Sequence, residues 1–111
     1  HPGNFSAFIL IGGNTKNYWN NPQLHQVIKR FVTNKKLVSA ICNAAVILAK
    51  SGVLVDIPAT CFPENKNEMI KEGIEYKDTP VVARKNFITA NGPQASSEFA
   101  LTILNKLQNL N

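Results

Sequence analysis

One cysteine stands where a predicted strand turns into a predicted helix. The segment "KLVSAICNAAVILA" covers residues 36–49 and changes at Cys42 from β-branched and apolar residues to helix formers. A nucleophile held in such a sharp turn, called a nucleophile elbow, needs small neighbours so that the strand and the helix can approach each other. Ala40 and Ala44 stand two positions before and after Cys42. The pattern predicts a reactive thiol, although a small apolar cysteine at the end of a strand fits it as well.

A predicted helix N-terminus directly after Cys42 indicates what the thiol would do. Unpaired N–H groups and the helix dipole favour a thiolate, and the pKa of thiols in such places falls from about 8.5 to roughly 3.5–7.5. A thiolate is a strong nucleophile toward carbonyl and acyl carbons. We therefore expect covalent chemistry at Cys42.

Strand and helix patterns alternate along the chain and predict one α/β domain over residues 1–111 with a mainly parallel sheet. The apolar run "SAFILIGG" at residues 6–13 predicts a first strand buried on both faces. The other predicted elements are a helix from Pro22 to Phe31 or Asn34, a strand at 37–41, a helix at 43–50, short β-rich pieces within 53–62, a short helix within 65–73, a hairpin turning at Lys85 and Asn86, and a final helix within 92–110. Because the chain opens almost directly on a buried strand, we expect the domain to be N-terminally incomplete, lacking roughly 50–80 residues.

Composition excludes several classes of function. No apolar run reaches the roughly 18 residues that a membrane-spanning helix requires, and no signal peptide is visible. Cys42 and Cys61 form no CxxC motif, which argues against a disulfide framework or a zinc site and favours a cytoplasmic protein. The net charge of +5 comes from dispersed lysines, so we expect no nucleic-acid partner. With no nicotinamide fingerprint, phosphate-binding loop or metal-ligand cluster, we expect no cofactor.

Five sequence blocks resemble those of the DJ-one/ThiJ/PfpI superfamily. They are "ILIGG", "AIC" followed by "LAKSGVL", "ATCFP", "ITANGP" and "SEFALTILNKL", and they occur in the family's order with compatible gaps. The resemblance covers essentially the whole chain and corresponds to the C-terminal two-thirds of such a protein. It implies a flavodoxin-like three-layer sandwich lacking its N-terminal βα unit, and a homodimer.

The resemblance also implies roles for individual residues. Cys42 matches the family's reactive, oxidation-sensitive cysteine. Gly13 matches the second glycine of the strand-end pair, and its backbone N–H together with that of Asn43 would form an oxyanion hole. Further matched positions, which shape the floor of the site and are structural in this interpretation, are Thr60, Thr89, Gly92 and Pro93.

Departures from the family pattern concern the acid and base groups. The family's glutamate from the first βα unit has no counterpart in this sequence. Histidines that other members place near the elbow are replaced by Asn43 and Phe62, and the usual Pro-Gly-Gly reads Ile-Gly-Gly. Only His1 and His25 remain as bases, and we expect His25 on the surface of its helix. Activation of Cys42 would then depend on the helix terminus and on an acid outside this sequence.

Three functions fit these residues. The leading hypothesis is a cysteine-dependent enzyme of the glyoxalase or protein-deglycase type that acts on a small carbonyl or acyl substrate. One alternative is a non-enzymatic redox-sensing or chaperone-like stress protein, and the other is a small amidase, peptidase or isocyanide hydratase on the same elbow. Tyr18 and Trp19 either wall the site or anchor their loop, and Cys61 is a resolving thiol or a buried spectator.

Overall fold

Four strands and four helices make up the described part of the chain. The computed structural model describes residues 5–109. The elements are β1 (Ala7–Leu10), α1 (Pro22–Thr33), β2 (Leu37–Ile41), α2 (Ala45–Ser51), α3 (Lys66–Lys71), β3 (Val81–Arg84), β4 (Phe87–Ala90) and α4 (Ser96–Gln108). Single turns of 3-10 helix precede α2, α3 and α4. In this part of the molecule no helix has the length and apolar character needed to cross a membrane.

The sheet has the order β1-β2-β4-β3 and is mainly parallel, as predicted. β1 pairs with β2 and β2 with β4 in parallel, whereas β3 and β4 form the antiparallel hairpin expected at Lys85. Lys85 has the positive φ of 55° that the tight turn requires. The carboxyl ends of β1, β2 and β4 therefore lie at one edge of the sheet, where α/β proteins place their ligand sites.

β2 separates two apolar layers, and the result is the three-layer flavodoxin-like arrangement. All five of its residues are buried. Val38 and Ala40 face the larger cluster, which includes residues of α1, α2 and α3. Leu37 and Ile41 face the smaller cluster, which includes Phe99 of α4. A strand covered on both faces explains why residues 37–41 read as a continuous apolar run.

The prediction that β1 is buried on both faces was wrong. Its residues are only partly buried, and Ile9 is 43% exposed. Within residues 5–109, β1 lies at the edge of the sheet and pairs only with β2. Beside it lies an open apolar groove of about 440 Å³, lined by residues of β1 and α1 together with Phe5. Val27 of α1 faces this groove and is 36% exposed.

The β-rich pieces predicted within residues 53–62 do not form strands. The only β pairing in this segment of the described chain is an isolated bridge between Ala59 and Tyr76. Leu54, Ile57 and Ala59 are nevertheless buried, so the apolar residues that suggested strands are packed in the core as irregular chain. Pro58 and Pro63 explain the outcome, because proline donates no backbone hydrogen bond to a sheet.

The helices begin and end close to where the sequence predicts. Asn21 caps α1 by accepting a hydrogen bond from Leu24 N at 2.9 Å, and Gly52 ends α2 in the left-handed conformation with φ 84°. α2 and α3 are joined by ion pairs from Lys50 Nζ to Glu68 at 3.0 Å and to Glu72 at 3.1 Å. These ion pairs hold α2, the helix that follows Cys42, against α3, the helix that follows Cys61.

Candidate active site

A small cavity opens at the edge of the sheet where β1, β2 and β4 end. Its volume is about 240 Å³, and residues following each of these three strands contribute to its wall. The lining residues are Ile11, Gly12, Gly13, Ile41, Cys42, Pro93 and Ser96. The parallel register explains this convergence, because Leu10 pairs with Ala40 and Ile41 pairs with Ala90. The cavity is thus built from chain segments that the sheet places side by side.

Cys42 has the backbone geometry that a nucleophile elbow requires. Its φ is 64°, in the left-handed region, which costs a non-glycine residue about 1–2 kcal/mol. It begins a 3-10 turn of residues Cys42–Ala44 that leads directly into α2. Ala40 and Ala44, the predicted small neighbours, are fully buried. The side chain of Cys42 is half-buried and lines the cavity.

Gly12 makes room for the cysteine. A Cβ placed on Gly12 would lie 2.7 Å from Cys42 Cβ and 3.4 Å from Cys42 Sγ, and the first of these distances is too short for a real contact. Only glycine fits at position 12 without displacing the thiol. Gly13 has a φ of 125°, which also favours glycine. The first glycine of the pair is therefore required by packing and the second by backbone conformation.

Asn43 is tied to the glycine loop by its side chain. Asn43 Nδ2 donates to Gly13 O at 2.6 Å, and Asn43 Oδ1 accepts from Thr15 Oγ1 at 2.9 Å. Thr15 N also donates to Gly13 O, at 3.0 Å. Of the three residues predicted to do the chemistry, Cys42 and Gly13 line the cavity. The Asn43 side chain instead binds the loop that follows β1, through Gly13 and Thr15. The assignment of the Gly13 and Asn43 backbone N–H groups to an oxyanion hole stays a prediction.

The positions matched to the family's site floor lie close to the elbow. Thr60 and Thr89 are buried, and Thr60 N donates to Thr89 Oγ1 at 3.0 Å, which joins the segment after α2 to β4. Pro93 lines the cavity, whereas Gly92 is buried nearby. Phe62 N donates to Cys42 O at 3.2 Å and holds the elbow from the other side.

None of the described residues lining the cavity, apart from Cys42, carries a side chain that could act as an acid or a base at neutral pH. His25 is half-buried, and its Nε2 lies 2.7 Å from Trp19 O, so its ring is engaged by the backbone of the loop. His1 lies outside the described residues. Within residues 5–109 no group of three His, Cys, Asp or Glu side chains could hold a metal ion.

Trp19 anchors its loop. It packs against the larger core cluster, and its indole Nε1 donates to Thr15 Oγ1 at 3.3 Å. Tyr18 is 54% exposed, and neither aromatic lines the cavity. Of the two functions left open for these side chains, the structure supports anchoring for Trp19.

Cys61 differs from Cys42 in its exposure. Its side chain is fully buried, and its Sγ lies 3.2 Å from Phe62 O, to which the thiol donates. Burial, with a smaller contribution from the charge of the nearby Cys42, raises the pKa of the Cys61 thiol to about 12. A thiol in this state is a poor nucleophile at neutral pH.

Comparison of the sequence and the fold with known proteins identifies a family that this chain matches. Residues 1–106 match the model of the DJ-1/PfpI family. An uncharacterized protein of Methanocaldococcus jannaschii is 37% identical over the whole chain, and a glutathione-independent glyoxalase of Caenorhabditis elegans is 32% identical over 94% of it. The crystal structure of a ThiJ/PfpI domain protein from Brachyspira murdochii superposes on the whole chain with a TM-score of 0.96 at 28% identity.

These relatives are longer than this chain. The chain covers 56% of each of the two curated proteins and 65% of the solved Brachyspira murdochii chain. The elbow cysteine, the glycine pair and the floor residues all lie within the part that is shared.

Proposed function

Because the chain belongs to the DJ-1/PfpI family, we propose that it is a cysteine-dependent enzyme of the glyoxalase or protein-deglycase type. In this proposal the Cys42 thiolate adds to a small carbonyl substrate. The observation that carries the proposal is the position of Cys42, which lies at a positive-φ bend and shares a cavity of about 240 Å³ with Gly12 and Gly13. The similarity to a glutathione-independent glyoxalase supports the choice of substrate class.

The reaction converts a 2-oxoaldehyde and one water into a 2-hydroxy acid. The thiolate forms a carbon–sulfur bond to the aldehyde carbon, and the carbonyl electron pair moves to the oxygen. The N–H groups of Gly13 and Asn43 would stabilise this oxyanion. After the oxygen is protonated, the former aldehyde carbon loses its proton and the neighbouring carbonyl oxygen gains one, which gives an enediol. The neighbouring carbon then takes up a proton, the hydroxyl group beside sulfur loses its own, and a thioester of the 2-hydroxy acid results. Water then attacks the thioester, the carbon–sulfur bond breaks, and the thiolate is restored.

The proton transfers need a group that the described cavity does not supply. We propose that a carboxylate from residues outside this sequence supplies it, on a further strand paired with the free edge of β1. The groove of about 440 Å³ beside β1, lined mostly by apolar side chains, supports this arrangement. Intact-mass measurement of the natural protein tests it, and a mass equal to that of the 111 residues alone would contradict it.

Turnover of methylglyoxal to lactate tests the function. We expect the natural protein to form lactate, the Cys42→Ala variant to form none, and Cys61→Ala to keep most of the activity. Cys61→Ala is the matched control, because it removes a thiol from the buried site and leaves the cavity intact. Equal rates for the natural protein and Cys42→Ala would refute the proposal. Rapid alkylation of Cys42 by iodoacetamide at pH 6 provides an independent measure of its reactivity.

One observation favours a second function. Because no acid or base other than Cys42 itself is among the described lining residues, the thiol could serve a redox-sensing or chaperone-like stress protein, which needs no water-activating group. In that case mild peroxide would convert Cys42 to a sulfinate, measured by mass spectrometry, while methylglyoxal would not be turned over. Sulfinate formation no faster than that of an unfolded control would exclude this function.

The remaining predictions each have a direct measurement. Assays with amide, peptide and isocyanide substrates distinguish the amidase, peptidase and hydratase alternatives from the glyoxalase. Sedimentation velocity tests the homodimer, and fractionation of the source cells tests the cytoplasmic location. We expect a homodimer and a cytoplasmic location.

A further inference from the structure

A chain of hydrogen bonds connects the residue after the nucleophile to an anchored tryptophan. Trp19 Nε1 donates to Thr15 Oγ1 at 3.3 Å, Thr15 Oγ1 donates to Asn43 Oδ1 at 2.9 Å, and Asn43 Nδ2 donates to Gly13 O at 2.6 Å. Thr15 and Asn43 are 28 positions apart in sequence. The bonds therefore cross from the loop after β1 to the elbow after β2.

The direction of every bond in this chain is fixed by its two ends. The indole N–H of Trp19 can only donate, so Thr15 Oγ1 accepts from it and has its own proton free to donate. Gly13 O can only accept, so the Asn43 atom facing it is the NH₂ group, which leaves Oδ1 facing Thr15. Both ends of the Asn43 amide are thus satisfied in a single orientation. Replacing Trp19, Thr15 or Asn43 by an apolar residue breaks the chain, because these three take part through their side chains.

The contact matters because it ends on Gly13, whose backbone N–H is predicted to stabilise the oxyanion. Gly13 carries no side chain, and a Cβ built on it would meet no atom within 4 Å. A glycine in such open surroundings has many accessible conformations. Two donors, Asn43 Nδ2 and Thr15 N, converge on Gly13 O and fix the peptide that follows Gly13. The loop position beside Cys42 is therefore held by one side-chain donor, from Asn43, and one backbone donor, from Thr15.

We propose that Asn43 and Thr15 are positioning residues that hold the Gly12–Gly13 loop at the cavity, with Trp19 as their anchor. The effect on catalysis rests on the proposed function, since it assumes that the Gly13 N–H stabilises an oxyanion. The effect on the loop itself does not. The two parts can therefore be measured separately.

The test uses Thr15→Val, which keeps the shape of the side chain and removes the hydroxyl. We expect kcat for methylglyoxal to fall about 10–100-fold, somewhat less than the loss of a whole oxyanion donor. Alkylation of Cys42 by iodoacetamide should change less than about twofold, because that reaction forms no oxyanion. Thr15→Ser should restore kcat. Thr102→Val is the matched control, since its hydroxyl donates only to Glu98 O on α4.

Backbone ¹⁵N relaxation measures the loop without reference to turnover. We expect the order parameters of Gly12 and Gly13 to fall from about 0.85 to below about 0.6 in Thr15→Val and in Asn43→Ala, and to stay high in Thr15→Ser and Thr102→Val. Trp19→Phe, which removes the indole N–H together with part of the ring system that packs against the core, should give a smaller change in the same direction. It also serves as a substitute if Thr15→Val does not fold.

The outcomes separate the two proposals. If the natural protein turns over no methylglyoxal but the order parameters fall as expected, the positioning role stands and the glyoxalase function fails. Unchanged order parameters in Thr15→Val would overturn the positioning role whatever the turnover. Alkylation that falls in parallel with kcat would also overturn it, because the variant would then have damaged the cysteine itself.

Discussion

The two cysteines of this chain have the same side chain and opposite surroundings. Cys42 lies at a bend with φ 64°, half-buried, in the wall of a cavity at the edge of the sheet. Cys61 is fully buried in the larger core cluster, and its thiol donates to the carbonyl of Phe62. Residue type alone therefore predicts nothing about which thiol reacts. Access and charge stabilisation decide it.

The two sites are nevertheless connected. Phe62 N, in the residue after Cys61, donates to Cys42 O at 3.2 Å. The charge of an ionised Cys42 adds to burial in raising the pKa of Cys61. The chain segment that carries the buried cysteine thus contacts the elbow through the backbone of Phe62, while the Cys61 side chain itself lies in the core.

The largest expected difference is in alkylation rate. With a pKa of about 12, Cys61 at pH 8 should react with iodoacetamide about 10³-fold more slowly than a free thiol of pKa near 8.5, because so little thiolate is present. Cys42 should be labelled first. Peptide mass spectrometry against time measures both rates, and the urea-unfolded protein, where both thiols are accessible, is the control. Labelling of Cys61 at the rate of a free thiol would contradict the comparison.

The next effect comes from the glycine that faces Cys42. Gly12→Ala should lower the free energy of unfolding by about 1–3 kcal/mol, because its Cβ would collide with Cys42 Cβ at 2.7 Å. It should also displace the thiol and slow alkylation. Gly92→Ala is the matched control, since a Cβ there meets its nearest atoms at 3.8 Å, an ordinary contact distance. Urea denaturation of both variants measures the difference, and equal stabilities would refute the packing argument.

Cys61 should make stability depend on alkaline pH. Above about pH 8.5 the unfolded chain loses the thiol proton, whereas the folded protein keeps it until about pH 12, so rising pH favours unfolding. The free energy of unfolding should fall by up to about 1.4 kcal/mol per pH unit more in the natural protein than in Cys61→Ala. Urea titrations between pH 8 and 11 measure this slope. Parallel slopes in the two proteins would show that Cys61 ionises freely in the folded state.

The smallest effect concerns the ion pairs that join the segments following the two cysteines. Hydrogen bonds from Lys50 and then from Lys71 hold the pKa of Glu68 below its usual value. Such a group stabilises the fold above the pKa of the unfolded carboxyl, and the contribution is lost as the pH falls through the folded pKa. Glu68→Gln should lower the melting temperature slightly at pH 7 and not at pH 2. Asp56→Asn, at a carboxylate outside these pairs, is the control, and an equal loss at both pH values would argue against the ion pairs.

Sequence patterns predicted the centre of the fold better than its edges. Residues 37–41 were identified as a strand because burial on both faces leaves a continuous apolar run, and the structure places β2 at Leu37–Ile41. The run at β1 looked the same, yet in the described part of the chain β1 pairs only with β2, and its Ile9 is 43% exposed. An apolar run shows that both faces of a strand could be buried. Whether they are buried depends on which other strands pair with it, and those strands lie far away in sequence.

The candidate site was predictable to the extent that it is local. The bend at Cys42 follows from small residues within two positions of it, and the resemblance to a family supplied Gly13. Anchoring by Trp19 was one of the two alternatives left open, whereas the hydrogen bonds of Thr15 were missed, because they join it to residues that only the folded loop brings near, such as Asn43, 28 positions away. The available signal was the polar run "NTKN" directly after the glycine pair, where a loop needs side chains to fix it.

The left-handed backbone at Cys42 has a consequence for how this protein can be improved. Glycine adopts φ 64° without the penalty of about 1–2 kcal/mol that cysteine incurs there. Laboratory selection for heat resistance alone should therefore drift toward glycine at this position, and it would produce a sturdier molecule with no nucleophile. Any programme of stabilisation must screen for thiol chemistry at the same time as for thermal tolerance.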